Sequence, residues 1–175
     1  MNSRINNQVR GFTLVELITI IIILGIIGAV AAPRFFDRNV FASRGFHDQV
    51  IATLRHAQKT AIAQRRFVCV EFSAVNATPG TVTLTTGASN TCGAQLTSPS
   101  GETPYTIRNN NASFSAIPPP AGNMSFDCLG RPRDITTAAT CDTAAGILVL
   151  PTTITVNTYG ASIFVERETG YVHSP

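Results

Sequence analysis

One carboxylate, Glu16, sits inside a run that is otherwise free of charge from Phe12 to Ala32. An isolated carboxylate in apolar surroundings costs several kcal/mol unless a counter-charge reaches it, so it marks a function with a specific partner. The preceding residues supply a candidate. Cleavage between Gly11 and Phe12 would free an α-amine four residues from Glu16, on the same face of a helix. Glu16 could then bond its own amine or that of an adjoining subunit. Other chemistry-bearing residues point elsewhere. Cys69, Cys92, Cys128 and Cys141 are separated by 22, 35 and 12 residues, with no C-x-x-C, which disfavours a zinc ribbon. Their even count, downstream of an apolar segment, predicts disulfides in an oxidising compartment. Four cysteines allow three pairings; Cys69–Cys92 with Cys128–Cys141 closes the shorter loops, and four buried thiols is the competing reading.

The remaining polar clusters are bland. Asp127 and Asp134 flank Arg131 and Arg133, which reads as a salt-bridged surface turn of small energetic weight. His47 and His56 are nine residues apart and His173 is remote, so neither metal-ligand spacing nor a metal site is expected. The chain lacks G-x-S-x-G, H-E-x-x-H and a P-loop, no Cys–His pair is close in sequence, and no cofactor is called for. An enzyme is not expected.

These residues need elements to hold them. Residues 1–11 form a short polar leader with Arg4 and Arg10 and no acid. Residues 12–33 read as an apolar helix; 21 residues span about 31 Å at ~1.5 Å per residue, close to the ~30 Å hydrocarbon thickness. In lipid the backbone must satisfy its own hydrogen bonds, so the β-branched run from Ile18 to Ile23 is helical there. The basic leader predicts a cytoplasmic N-terminus and an exported C-terminal domain. Pro33 removes an N–H and predicts a kink. An ordinary export signal, cut after Ala29–Val30–Ala31, is the alternative; a signal's apolar core is shorter, about 7–15 residues.

Residues 34–66 read as continued helix, with Val50, Leu54, Ala57 and Ala61 on one core face and Gly45 interrupting the pattern. They carry seven bases against two acids, whereas residues 67–175 carry four bases against seven acids. A basic middle joined to an acidic head disfavours a nucleic-acid-binding domain and suits copies or relatives packing middle against head. From Phe67 the period becomes two: strands are expected at Phe67–Phe72, Thr81–Thr86, Tyr105–Arg108, Ala112–Ile117, Met124–Phe126, Gly146–Leu150, Thr153–Val156, Ser162–Glu166 and Tyr171–Val172. Pro118–Pro119–Pro120 must end the strand before it. The fold class is therefore α+β: a long N-terminal helix, with an apolar and an amphipathic half, packed on a 67–175 head of antiparallel sheets.

The stretch Gly11–Phe12–Thr13–Leu14–Val15–Glu16 resembles the processing motif of type IV prepilins and of the pseudopilins of type II secretion. The basic leader, the apolar helix and Pro33 extend the resemblance. It implies a membrane aspartyl peptidase that cuts after Gly11 and methylates the new amine of Phe12, with Glu16 as the assembly carboxylate. The turn Phe126–Asp127–Cys128–Leu129–Gly130–Arg131–Pro132 and the end Glu166–Thr169–Gly170–Tyr171–Val172 resemble the minor pseudopilin of the H type and its minor-pilin relatives. The stretch from Arg44 to Val70, RGFHDQVIATLRHAQKTAIAQRRFVCV, is similar to minor prepilins of mannose-sensitive haemagglutinin-type pili. The implied partners are the prepilin peptidase and methylase, other major and minor pilins or pseudopilins, the inner-membrane assembly platform and the membrane. The implied location is the bacterial inner membrane with the head in the periplasm, and then the fibre. Two further readings stay open. One is a DNA-binding minor pilin of DNA uptake that contacts phosphates through Arg131 and Arg133. The other is an exported soluble domain.

Overall fold

A computed structural model describes residues 12–35, 38–118, 123–137, 139–141, 146, 148, 151–157 and 159–175, without the side chains of residues 30–35 and 38–40. The chain divides into two compact units, Met1–Arg38 and Asn39–Pro175.

The first unit is α1, Leu14–Phe35. Its start is written locally: Thr13 takes the N-cap position and its Oγ1 accepts the Glu16 N–H at 3.2 Å. Every described side chain from residue 12 to 29 is exposed. Among the described residues no helix is long and apolar enough to cross a membrane. The helix continues past Pro33 to Phe35. The cleavage residue Gly11 lies outside the described residues.

The second unit is built on α2, Arg38–Gln64, which runs through Gly45 without a break. The helix ends in a Schellman pattern: Arg66 N–H donates to Ala61 O at 3.2 Å, Arg65 N–H to Ile62 O at 3.3 Å, and Arg65 is left-handed with φ 49°. The face Val50–Leu54–Ala57–Ala61 is wholly buried, and Phe46 extends it by one turn.

The strands are β1 (Phe67–Phe72), β2 (Gly80–Gly87), β3 (Ala94–Gln95), β4 (Tyr105–Asn109), β5 (Phe114–Ala116), β6 (Asn123–Phe126), β7 (Pro132–Arg133), β8 (Thr152–Val156), β9 (Ser162–Val165) and β10 (Val172–His173). One sheet runs β3-β2-β1-β6-β7 with β4 also on β2, and the other runs β10-β9-β8-β5. All their pairings are antiparallel, so the fold is α+β. β1 pairs β2 in the register Val68↔Thr86 and Phe72↔Val82, which sends Val68, Val70 and Phe72 towards the helix side. Phe114 of β5 stands 5.5 Å from the Phe46 ring and 5.4 Å from Phe72, joining α2 and both sheets in one core.

Three elements differ from expectation. β3, Ala94–Gln95, pairs with β2 where no strand was expected. Pro132–Arg133, read as part of a turn, pairs with Ser125–Phe126 as a short strand. The strand expected at Gly146–Leu150 is described only at Gly146, which is in a turn, and at Leu148, which is in no regular element. Their backbones still follow the 132–134 segment, through Asp134 N–H to Gly146 O at 2.8 Å and Leu148 N–H to Pro132 O at 3.4 Å. A positive φ of 72° at Gly146 bends the chain where a strand would need extended backbone. Of the expected strand breaker, Pro119 and Pro120 lie outside the described residues.

Candidate functional site

The first candidate is the start of α1. Phe12 is 75% exposed and directly precedes the Thr13 cap. With Thr13 as N-cap, Glu16 is the third helical residue, so Thr13–Leu14–Val15–Glu16 has the spacing of a capping box. Thr19 Oγ1 donates to Glu16 O at 2.8 Å, one turn on. Glu16 therefore has a local reason to sit here, since a carboxylate in the first turn complements the helix dipole. That reason does not account for the surroundings. Leu14, Val15, Leu17 and the isoleucines from Ile18 to Ile27 are exposed on every side. A helix apolar all round needs lipid or other protein around it. Once covered, Glu16 would lose the water that solvates it, and the demand for a counter-charge becomes real. The T-x-x-E spacing of this cap is legible in the sequence.

The second candidate is the turn after β6. The expected surface ion pair is instead buried: Asp127 and Arg133 are both 0% exposed. Asp127 Oδ1 accepts the Leu129 and Arg131 N–H groups, each at 2.9 Å. Its Oδ2 accepts Arg131 Nε at 2.9 Å and Arg133 Nε and Nη2 at 2.9 and 2.7 Å. Burial pushes the Asp127 carboxyl up, but the Arg131 backbone N–H, the Arg133 guanidinium, the Leu129 N–H and the Arg131 side chain more than offset this and hold it below the usual carboxylate range. Asp134 does not join the arginines. It accepts from the Thr136 and Thr137 hydroxyls and N–H groups. Burial raises its carboxyl, and these donors together lower it by more. Arg133 is thus spent on Asp127, and the phosphate contact considered for it has no access.

The turn is fastened to α2 and to the 166–171 segment. Gln58 Nε2 donates to Thr169 O at 2.6 Å and to Gly130 O at 3.3 Å, and Arg55 donates to Val172 O at 3.1 and 2.9 Å. Gly130 and Gly170 have φ of 79° and 65°, and a Cβ on Gly170 would be driven into Gly130 O. Disulfides join Cys69 to Cys92 and Cys128 to Cys141. The three histidines are scattered: His47 is buried beside Tyr159, His56 faces Tyr105, and His173 meets Glu166. Among the described residues no group of His, Cys, Asp and Glu could hold a metal ion.

Comparison with known proteins supports the first candidate. A family described as the prokaryotic N-terminal methylation motif matches residues 6–32. The type IV narrow pilus major component PilA5 of Thermus thermophilus is 39% identical over 59 residues, 34% of this chain and 51% of that protein. The match thus spans about half the length of that relative. No solved structure matches.

Proposed function

We propose that this chain, which is type IV pilin-like, is a non-catalytic structural subunit of a pilus or of a type II secretion pseudopilus. Within that class we favour a minor subunit. The prepilin peptidase cuts after Gly11 and the amine of Phe12 is methylated. Residues 12–32 then serve first as a membrane anchor and later as the core of a fibre, leaving the head on the far side of the inner membrane. Its partners are other pilins or pseudopilins and the assembly platform.

A single observation carries this reading. Glu16 is the one charge between Phe12 and Ala32, a stretch whose described side chains are exposed, and it lies about one helical turn from the amine that a cut between Gly11 and Phe12 would free. The physical logic is differential: water solvates the carboxylate in the free chain, and once the helix is covered an ammonium, in this reading the freed N-terminus of a neighbour, takes its place. Glu16→Ala should therefore still insert and be processed but fail to enter the fibre. Normal incorporation of that variant would remove the proposed role.

A further inference from the structure

The two disulfides of the head stand in opposite surroundings. Cys69 is 5% exposed, and its Sγ lies 3.3 Å from Asn90 O. Cys92 Sγ lies 3.7 Å from Phe67 O and 3.8 Å from Ser89 O. Glu71 lines the same pocket as both cysteines and, among the described residues, forms no ion pair. Three carbonyl dipoles and a carboxylate repel an incoming thiolate, and none of them stabilises a departing one.

The Cys128–Cys141 bond lies open by comparison. Both cysteines are half-buried, and with Leu129 and Arg65 they line a cleft of about 300 Å³. Among the described residues no carbonyl oxygen makes such a contact with either sulfur. Arg65 forms no ion pair among the described residues, and it holds the left-handed position that ends α2, where glycine is favoured. A long cationic side chain is thus kept at the cleft at a conformational cost. A guanidinium there favours both the approach of a thiolate and its departure. The Asp127 carboxylate next to Cys128 is already paired with Arg131 and Arg133. Asp142 follows Cys141 in the chain and lies outside the described residues.

Both ends of this bond are held by other means. Cys128 sits in the turn that Asp127 ties through the Leu129 and Arg131 N–H groups. The segment before Cys141 is held by the buried Asn90 side chain, which donates to Asp134 O at 3.0 Å and Thr137 O at 2.6 Å and accepts from Ala139 N–H at 3.1 Å. Opening the bond therefore leaves its two sulfurs close together and able to rejoin.

We propose that Cys128–Cys141 is a thiol–disulfide exchange site for small anionic thiols, with Cys69–Cys92 as the inert structural bond. One thiolate attacks a sulfur of the pair, the S–S bond breaks, and the other cysteine leaves as a thiolate at the Arg65 cleft. A second thiolate attacks the reagent's sulfur in the mixed disulfide, which forms the reagent's own disulfide and frees the remaining cysteine as a thiolate. Two thiolates are oxidised and one protein disulfide is reduced, so electrons balance. The site belongs to the 39–175 unit and does not depend on assembly through α1.

The test exposes the oxidised full chain, in detergent micelles without denaturant, to mercaptoacetate or to neutral 2-mercaptoethanol. Thiols released over time are alkylated and assigned to each cysteine by peptide mass. Cys128 and Cys141 should be labelled faster than Cys69 and Cys92 by about tenfold or more, as expected of accessible against enclosed sulfurs. Arg65→Glu should lower the ratio of the mercaptoacetate rate to the 2-mercaptoethanol rate by about threefold, the order expected for reversing one screened charge. Arg65→Lys should keep the ratio, and the ratio is insensitive to a general loosening of the fold. Both pairs opening at one rate, Cys69–Cys92 opening first, or neither opening overturns the proposal. So does a ratio that Arg65→Glu leaves unchanged.

Discussion

Replacing Asp127 by asparagine tests the energetic centre of the head. The substitution keeps the shape of the side chain and removes its charge. Oδ2 now accepts three N–H groups, one from Arg131 and two from Arg133. An amide there either opposes those donors with its own NH₂ or, flipped, opposes the Leu129 and Arg131 backbone donors on the other side. In both cases the Arg133 guanidinium, 0% exposed, keeps its charge and loses the Asp127 carboxylate. Breaking a buried pair from one side costs about 3–5 kcal/mol. For a unit of this size that corresponds to a fall in Tm of roughly 10–20 °C. The assay is thermal unfolding of the oxidised full chain followed by near-ultraviolet circular dichroism. A second variant sharpens it: Asp127→Leu with Arg133→Met removes both charges and should recover much of the loss, since apolar replacement of a buried pair is often neutral. The same group sets the acid limb of stability. Its folded pKa lies below its unfolded value of about 4, so its contribution is complete above that pH and is lost as pH falls through the folded value. Asp127→Asn should flatten that limb. A melting temperature within about 3 °C of the parent, a change of less than ~1 kcal/mol, would refute the reasoning.

Gly170→Ala should destabilise the head by at least about 3 kcal/mol, since it combines a left-handed backbone with a Cβ driven into Gly130 O; a denaturant midpoint near the parent value would contradict the close approach. Leu54→Ala, at the fully buried centre of the α2 face, should cost about 2–5 kcal/mol by the same measurement. Replacing Cys69 and Cys92 by serine removes a link across 23 positions and should lower unfolding free energy by about 3 kcal/mol. Gly11 replaced by a bulky residue should leave the precursor uncut, read as an unchanged mass.

Periodicity made much of this architecture legible. Val50, Leu54, Ala57 and Ala61 recur at helical steps and are buried together, and the alternation over Phe67–Phe72 marks β1. Such patterns are local and survive in one dimension. The Asp127 network was not legible in the same way. A carboxylate just ahead of Gly130–Arg131–Pro132 looks the same whether water or protein lies beyond it. Only the packing of Arg133 in the interior, and of Gly130 against Ile62 and Gly170, removes the water. β3 and β7 are two residues each, too short to show a period. At the start of α1 the sequence held both answers about Glu16, since T-x-x-E caps a helix and an acid in an apolar run seeks a cation. The structure shows the Thr13 cap bond in place and the apolar flanks bare.

The N-terminus of the native protein records directly whether residues 1–11 are removed. Intact-mass and N-terminal fragment analysis of material purified from its membrane or fibre should find a chain beginning at Phe12 with a methylated amine. A chain beginning at Ala32 or Pro33, or one retaining residues 1–11, would contradict it.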